Sequence, residues 1–220
     1  MTKVRPNAVA PEPAAATASS SPAVALTVWR KSLLFNCDGF TVFDARGDLA
    51  FRADCYDAAP RRRAEVVLMD AAGTPLLTVR RRRGLLAADR WVIYDGDGDG
   101  GRPLLSVRRA ARASKSNSNK VLLAHVTPLG AADADAEAYV VEGSYGRRGR
   151  SCAVRDARGG RAVVAEVRRK EGVGDDVFRL VVAGPRLGAL HAMGLVVALD
   201  EMFAAGPPPA WSLRRAWWSA

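Results

Sequence analysis

The sequence predicts an all-β fold with one helix, a closed antiparallel barrel of about twelve strands around a hydrophobic C-terminal segment. Three observations carry the prediction: a hairpin motif repeated four times, an even series of short apolar runs between turns, and a late segment that is apolar on every side. At 220 residues the chain has the length of one large all-β domain with a single core.

The repeat consists of an apolar run, an aspartate, a short Gly-containing turn, a second apolar run and a basic residue. It reads FTVFDARGDLAFR from Phe40 to Arg52, VVLMDAAGTPLLTVR from Val66 to Arg80, WVIYDGDGDGGRPLLSVR from Trp91 to Arg108, and CAVRDARGGRAVVAEVR from Cys152 to Arg168. Turn chemistry explains it. Asp44, Asp70, Asp95 and Asp156 accept from backbone N–H groups two residues on, and Gly47, Gly73 and Gly159 adopt positive φ without strain. Each unit is therefore a β-hairpin, because runs such as Trp91–Tyr94 are rich in β-branched and aromatic residues and too short for helices.

Taken in order, strands are expected near residues 26–30, 40–44, 49–53, 65–69, 75–80, 90–94, 103–108, 120–126, 139–144, 151–155, 161–168 and 176–182. Closure removes the sheet edges that would template aggregation, but a barrel of about twelve strands is too wide for its own side chains to fill. Leu187 to Phe203, LGALHAMGLVVALDEMF, supplies the filling: it has helical length, is apolar around its circumference up to Leu199, and is stopped by Gly206-Pro207-Pro208-Pro209. His191, Asp200 and Glu201 argue for burial in protein over burial in lipid, and the apolar part is shorter than the roughly 20 residues a span requires. An interfacial membrane helix is the alternative.

Together, LTVWRKSLLFNCDGFTVFDARGDLAFRADCY, VVLMDAAGTPLLTVRRR, WVIYDGD and the closing LVVALDEMF resemble the LURP-one-related proteins of plants, members of the tubby-like superfamily that includes phospholipid scramblases. The resemblance covers Leu26 to Phe203. It implies a tubby C-terminal-like barrel around a central helix, an association with plant defence, and, through tubby-like relatives, phosphoinositide-dependent membrane tethering. It brings no catalytic residues, and the multi-cysteine palmitoylation cluster of scramblases is missing here.

On these grounds the expected organisation is an Ala/Pro/Ser-rich disordered tail over 1–24, the barrel domain over 25–205, and a Pro/Trp/Arg tail over 206–220. No secretory signal is recognisable, and Cys37, Cys55 and Cys152 lack C-x-x-C spacing, so reduced thiols in the cytoplasm are expected. The membrane surface or the nucleus would be the sites of action.

No enzyme is expected. Only His125 and His191 are available, the latter read as a satisfied core residue, so neither a paired-histidine metal site nor a nucleophile–histidine dyad is spelled out. Asp95-Gly96-Asp97-Gly98-Asp99-Gly100 imitates the start of a calcium loop but has Pro103 at position 9 and Ser106 where a bidentate Glu belongs. No metal, cofactor or small-molecule substrate follows.

The remaining signal is a net charge of +10. Since the Asp turns share one end of the barrel, the basic ends of the return strands should gather at the other: Arg80, Arg81, Arg82 and Arg83; Arg108 and Arg109; Arg168, Arg169 and Lys170. Arg61 to Arg63, Arg147, Arg148 and Arg150 should join them. Such a rim would attract anionic lipid headgroups, phosphoinositides included, with Trp211, Arg214, Arg215, Trp217 and Trp218 as an interfacial anchor. The tryptophans packing on the barrel wall is the competing reading, and a solvated rim without a partner is the plain one. A protein partner or nucleic acid are the rival ligands, the latter ranked below lipid because no aromatic stacking surface accompanies the arginines.

Overall fold

Alternation decides the architecture. In Val24–Trp29, Leu26 and Val28 are buried and their neighbours are not, and the same period of two recurs in Glu65–Met69 and Val177–Val182, whereas strands such as Asp38–Phe43 and Arg90–Asp95 bury three or four residues in a row. The computed structural model describes residues 23–34, 38–55, 65–82, 90–97, 100–110, 121–130, 138–146, 149–158, 160–170, 172, 174–183 and 186–204. Twelve strands appear: β1 Val24–Trp29, β2 Asp38–Phe43, β3 Leu49–Cys55, β4 Glu65–Met69, β5 Pro75–Arg82, β6 Arg90–Asp95, β7 Pro103–Arg109, β8 Leu122–Pro128, β9 Tyr139–Gly146, β10 Gly149–Asp156, β11 Val163–Arg169 and β12 Val177–Val182. All pairs are antiparallel between sequence neighbours, and β1 pairs with β12 from Val24↔Val182 to Trp29↔Val177, closing the barrel.

The four repeats are four hairpins, each with a bulge one step before its turn: at Val42/Phe43, Leu68/Met69, Ile93/Tyr94 and Val154/Arg155. Asp44 Oδ1 accepts from the Arg46 and Asp48 amides at 2.8 and 2.9 Å, Asp70 Oδ1 from Thr74 at 2.8 Å, and Asp156 Oδ1 from Arg158 at 2.8 Å. These backbone bonds hold the carboxyls of Asp44 and Asp70 below the ordinary range. Gly47 and Gly73 have φ of 92° and 91°, as the turns require. In the fourth hairpin Gly159 lies outside the described residues, and Arg161 takes a φ of 61°, tethered to Glu142 at 3.1 Å.

The filling is helix α1, Ala189–Leu199, shorter than the Leu187–Phe203 expected because the chain widens into a π-helical turn over Asp200–Ala204. Every residue from Ala192 to Leu199 is buried, as an all-round apolar helix demands. Close approach is set by Gly194, where an added Cβ would stand 3.3 Å from methyl groups of Leu77 and Ile93. Each fully buried Leu or Val along it stabilises the fold by about 1.5–3 kcal/mol. His191 is half-buried at the first turn, not in the core, because the helix begins only two residues earlier.

Candidate functional site

Topology gives the barrel two distinct ends. The four Asp turns and the start of α1 share one; the last residues of β1, β5, β7 and β11 and the end of α1 share the other. Arg82, Arg108, Arg109, Arg168, Arg169 and Lys170 all lie toward this second end, while Arg83, Arg61 to Arg63, Arg147, Arg148 and the tail residues Trp211, Arg214, Arg215, Trp217 and Trp218 lie outside the described residues. Asp38, Asp54, Asp175, Asp176 and Asp200 accompany the cations, so the ends differ less in charge than the arginines alone suggest.

Several of these cations are already engaged. Arg80 donates to Glu65, Arg82 Nη2 to the Tyr94 hydroxyl at 2.8 Å, and Arg109 stacks 4.6 Å from the Phe203 ring centroid. Arg81 is partly buried within β5, in register with Trp91. Arg150, expected on the rim, is buried instead: its inward position on β10 carries it to Asp200, with Nη2 to Oδ1 at 3.0 Å and both side chains 3% exposed. Arg30 closes on the other oxygen of Asp200 at 2.6 Å. Burial opposes the Arg30 cation, but Asp200, seconded by Asp38 and Asp176, more than offsets it and raises its pKa. This node locks the end of α1 to β1 and β10, and sequence reasoning missed it because its three members come from distant elements.

Beside the node, register builds a cationic surface. Arg168 on β11, Arg179 on β12 and Thr27 on β1 stand in one transverse row facing outward. With Arg169 and Lys170 they line an outer groove of about 660 Å³ that runs toward Asp44 and Ala45. Arg168 is hydrogen-bonded to Glu166 at 2.6 Å, which holds its pKa up, and Arg169 pairs with Asp175 at 2.7 Å. Among the described residues, Arg179 and Lys170 make no ion pair. Arg179 was legible in principle: it is the polar position in the alternating run VFRLVV.

The same end exposes apolar side chains. Trp29, Leu33 and Leu34 are 38%, 50% and 37% exposed, and the Lys31 ammonium lies 5.6 Å from the Trp29 ring centroid. Polar pins hold this loop outward: Ser32 Oγ donates to Asp54 and accepts from the Leu34 amide at 3.0 Å, and Thr41 Oγ1 donates to the Lys31 carbonyl at 2.7 Å. Among the described residues no group of three or more His, Cys, Asp or Glu side chains could hold a metal, and no helix is long and apolar enough to cross a membrane. Burial, helped by Glu166, pushes the Cys152 thiol up to about 12, so it is a neutral core group.

A twelve-stranded barrel closed on a C-terminal helix, with cations and apolar tips at the helix's far end, defines a β-barrel protein whose lumen is occupied by its own helix. The chain belongs to the LURP-one-related family, whose model matches residues 24–200. It is 43% identical over 193 residues to protein LURP-one-related 8 of Arabidopsis thaliana, covering 84% of this chain and 89% of that one, and 41% identical over 186 residues to LURP-one-related 5 of the same plant, covering 81% and 82%. A solved X-ray structure of an Arabidopsis thaliana protein matches the fold with a TM-score of 0.56 at 23% identity, over 82% of this chain and 91% of that one.

Proposed function

We propose that this protein is a non-enzymatic, membrane-associated adaptor that binds anionic phospholipid headgroups, phosphoinositides included, at the basic end of its barrel. The observation that carries the reading is the groove where Arg168, Arg169, Lys170 and Arg179 converge, two of them without an ion-pair partner among the described residues. Trp29, Leu33 and Leu34 at the same end supply what a headgroup contact alone lacks, apolar groups suited to the interface. The plant-defence setting is the one implied by the family resemblance, and the cytoplasmic face of a membrane is the corresponding location.

Near an anionic surface each cation contributes about 1 kcal/mol, and salt screens the attraction beyond about 10 Å. Co-sedimentation with phosphatidylcholine vesicles containing phosphatidylserine and a phosphoinositide is the test. Binding should weaken with salt, and the triple variant Arg168→Gln/Lys170→Gln/Arg179→Gln should lose about a hundredfold in affinity. Absence of vesicle binding, or binding unchanged in that variant, would leave a protein or nucleic-acid ligand as the reading of the charge.

A further inference from the structure

Cross-strand register builds a second cationic surface on the far wall of the barrel. Arg82 of β5 stands opposite Arg90 of β6, Arg90 opposite Arg108 of β7, and His125 of β8 continues the row opposite Arg108. The three arginines are exposed while their neighbours Trp91 and Val107 are core residues, so strand alternation turns all three guanidiniums outward together. Adjacent strands lie about 4.8 Å apart, which packs three cations into roughly 10 Å of wall. Like charges placed directly opposite each other destabilise a sheet. One row further along β5, Arg80 has its charge met by Glu65. In the arginine row nothing among the described residues does the same. Arg82 donates from Nε and Nη2 to the Tyr94 hydroxyl at 3.0 and 2.8 Å, a neutral acceptor, and Arg90 and Arg108 make no ion pair there.

We propose that this row binds a phosphorylated segment of a protein partner, its phosphate accepting from Arg82, Arg90 and Arg108. Charge and geometry select the phosphate. A phosphomonoester carries close to two negative charges on three acceptor oxygens, and guanidinium forks match it with paired hydrogen bonds. A carboxylate brings one charge and two oxygens, which leaves most of the row uncompensated. Position selects a protein over a lipid. β6 lies six places from β12 in either direction around the closed order, so the row faces away from the groove of Arg168 and Arg179. A bilayer laid against the groove's wall leaves this one turned to the surrounding solution. The inference rests on the adaptor reading in one respect only, that lipid occupies the groove, and it names what the adaptor holds on its other side.

The test titrates the full chain with a short acetylated glycine/alanine peptide carrying one phosphoserine, and with its unphosphorylated and aspartate forms, read by fluorescence anisotropy and by the arginine Nε–Hε NMR signals. The phosphopeptide should bind saturably, at least about tenfold tighter than the aspartate form, and should shift the signals of Arg90 and Arg108. Arg90→Gln/Arg108→Gln should lose about tenfold or more, with a thermal midpoint at or above the native one because like charges are relieved. Arg168→Gln/Lys170→Gln/Arg179→Gln should keep phosphopeptide affinity within about twofold, and Arg90→Gln should keep vesicle affinity within about twofold. Phosphopeptide binding that survives when vesicles fail to bind the native chain removes the lipid reading and leaves this one standing. Equal binding of the phosphorylated and unphosphorylated peptides, an aspartate form as tight as the phosphoserine, or phosphopeptide binding lost with the groove variant would overturn the proposal. Vesicle binding lost in Arg90→Gln would also overturn it, by assigning the row to the membrane.

Discussion

Helix α1 meets the barrel differently at its two ends. At the basic end Asp200 is clamped between Arg150 of β10 and Arg30, which directly follows β1, and Phe203 lies under Arg109. At the turn end the helix starts at an uncapped glycine beside a cavity. The same helix is thus closed by buried charge at one terminus and left open at the other. Ionic burial is costly unless complete, so the closed end tolerates little change, whereas the open end has amides and space to offer.

The contrast is broken most severely by Asp200→Ala, which strands the buried Arg150 cation and should cost about 3–5 kcal/mol in guanidinium unfolding. A loss below about 1 kcal/mol would mean that the end is not clamped. Cys152, on the lumen wall near that end, gives a pH signature. Its thiol rises from 9.0 to about 12 on folding, so between those values the unfolded chain sheds a proton that the native one keeps. Stability should therefore fall as pH climbs through that window, by up to about 4 kcal/mol, and Cys152→Ala should flatten the decline. The buried Tyr145 hydroxyl, also pushed up, shares the slope above pH 10. The smallest effect belongs to the open end: Gly188→Asp, at φ −68° and ψ 158° in extended backbone suited to a cap, should raise stability by about 0.5 kcal/mol. If it destabilises, the first-turn amides are already satisfied and the two ends are more alike than they look.

The hairpins were readable because their information is local. Asp44 and Gly47 form a turn through atoms within four residues, and the period of two in β1 or β12 needs only its own side chains. The helix was readable because all-round apolarity admits few environments. The functional surface was readable only by halves: Arg168 to Lys170 end a strand and announce themselves as a run, but Arg179 joins them through the register of β12 against β11. Arg150 looked like another rim cation, and its strand parity turned it inward.

By itself, then, the sequence determined the strands, the turns, the closure and the need for a filling, since each follows from spacing, backbone freedom or hydrophobic burial over a few residues. Only the tertiary structure decided that Arg30, Asp200 and Arg150 meet, that Arg168 and Arg179 share a row, and that Asp156, Arg186 and His191 surround one cavity. Those contacts join residues 5 to 170 positions apart, and their energies depend on distance and burial, which no local pattern encodes.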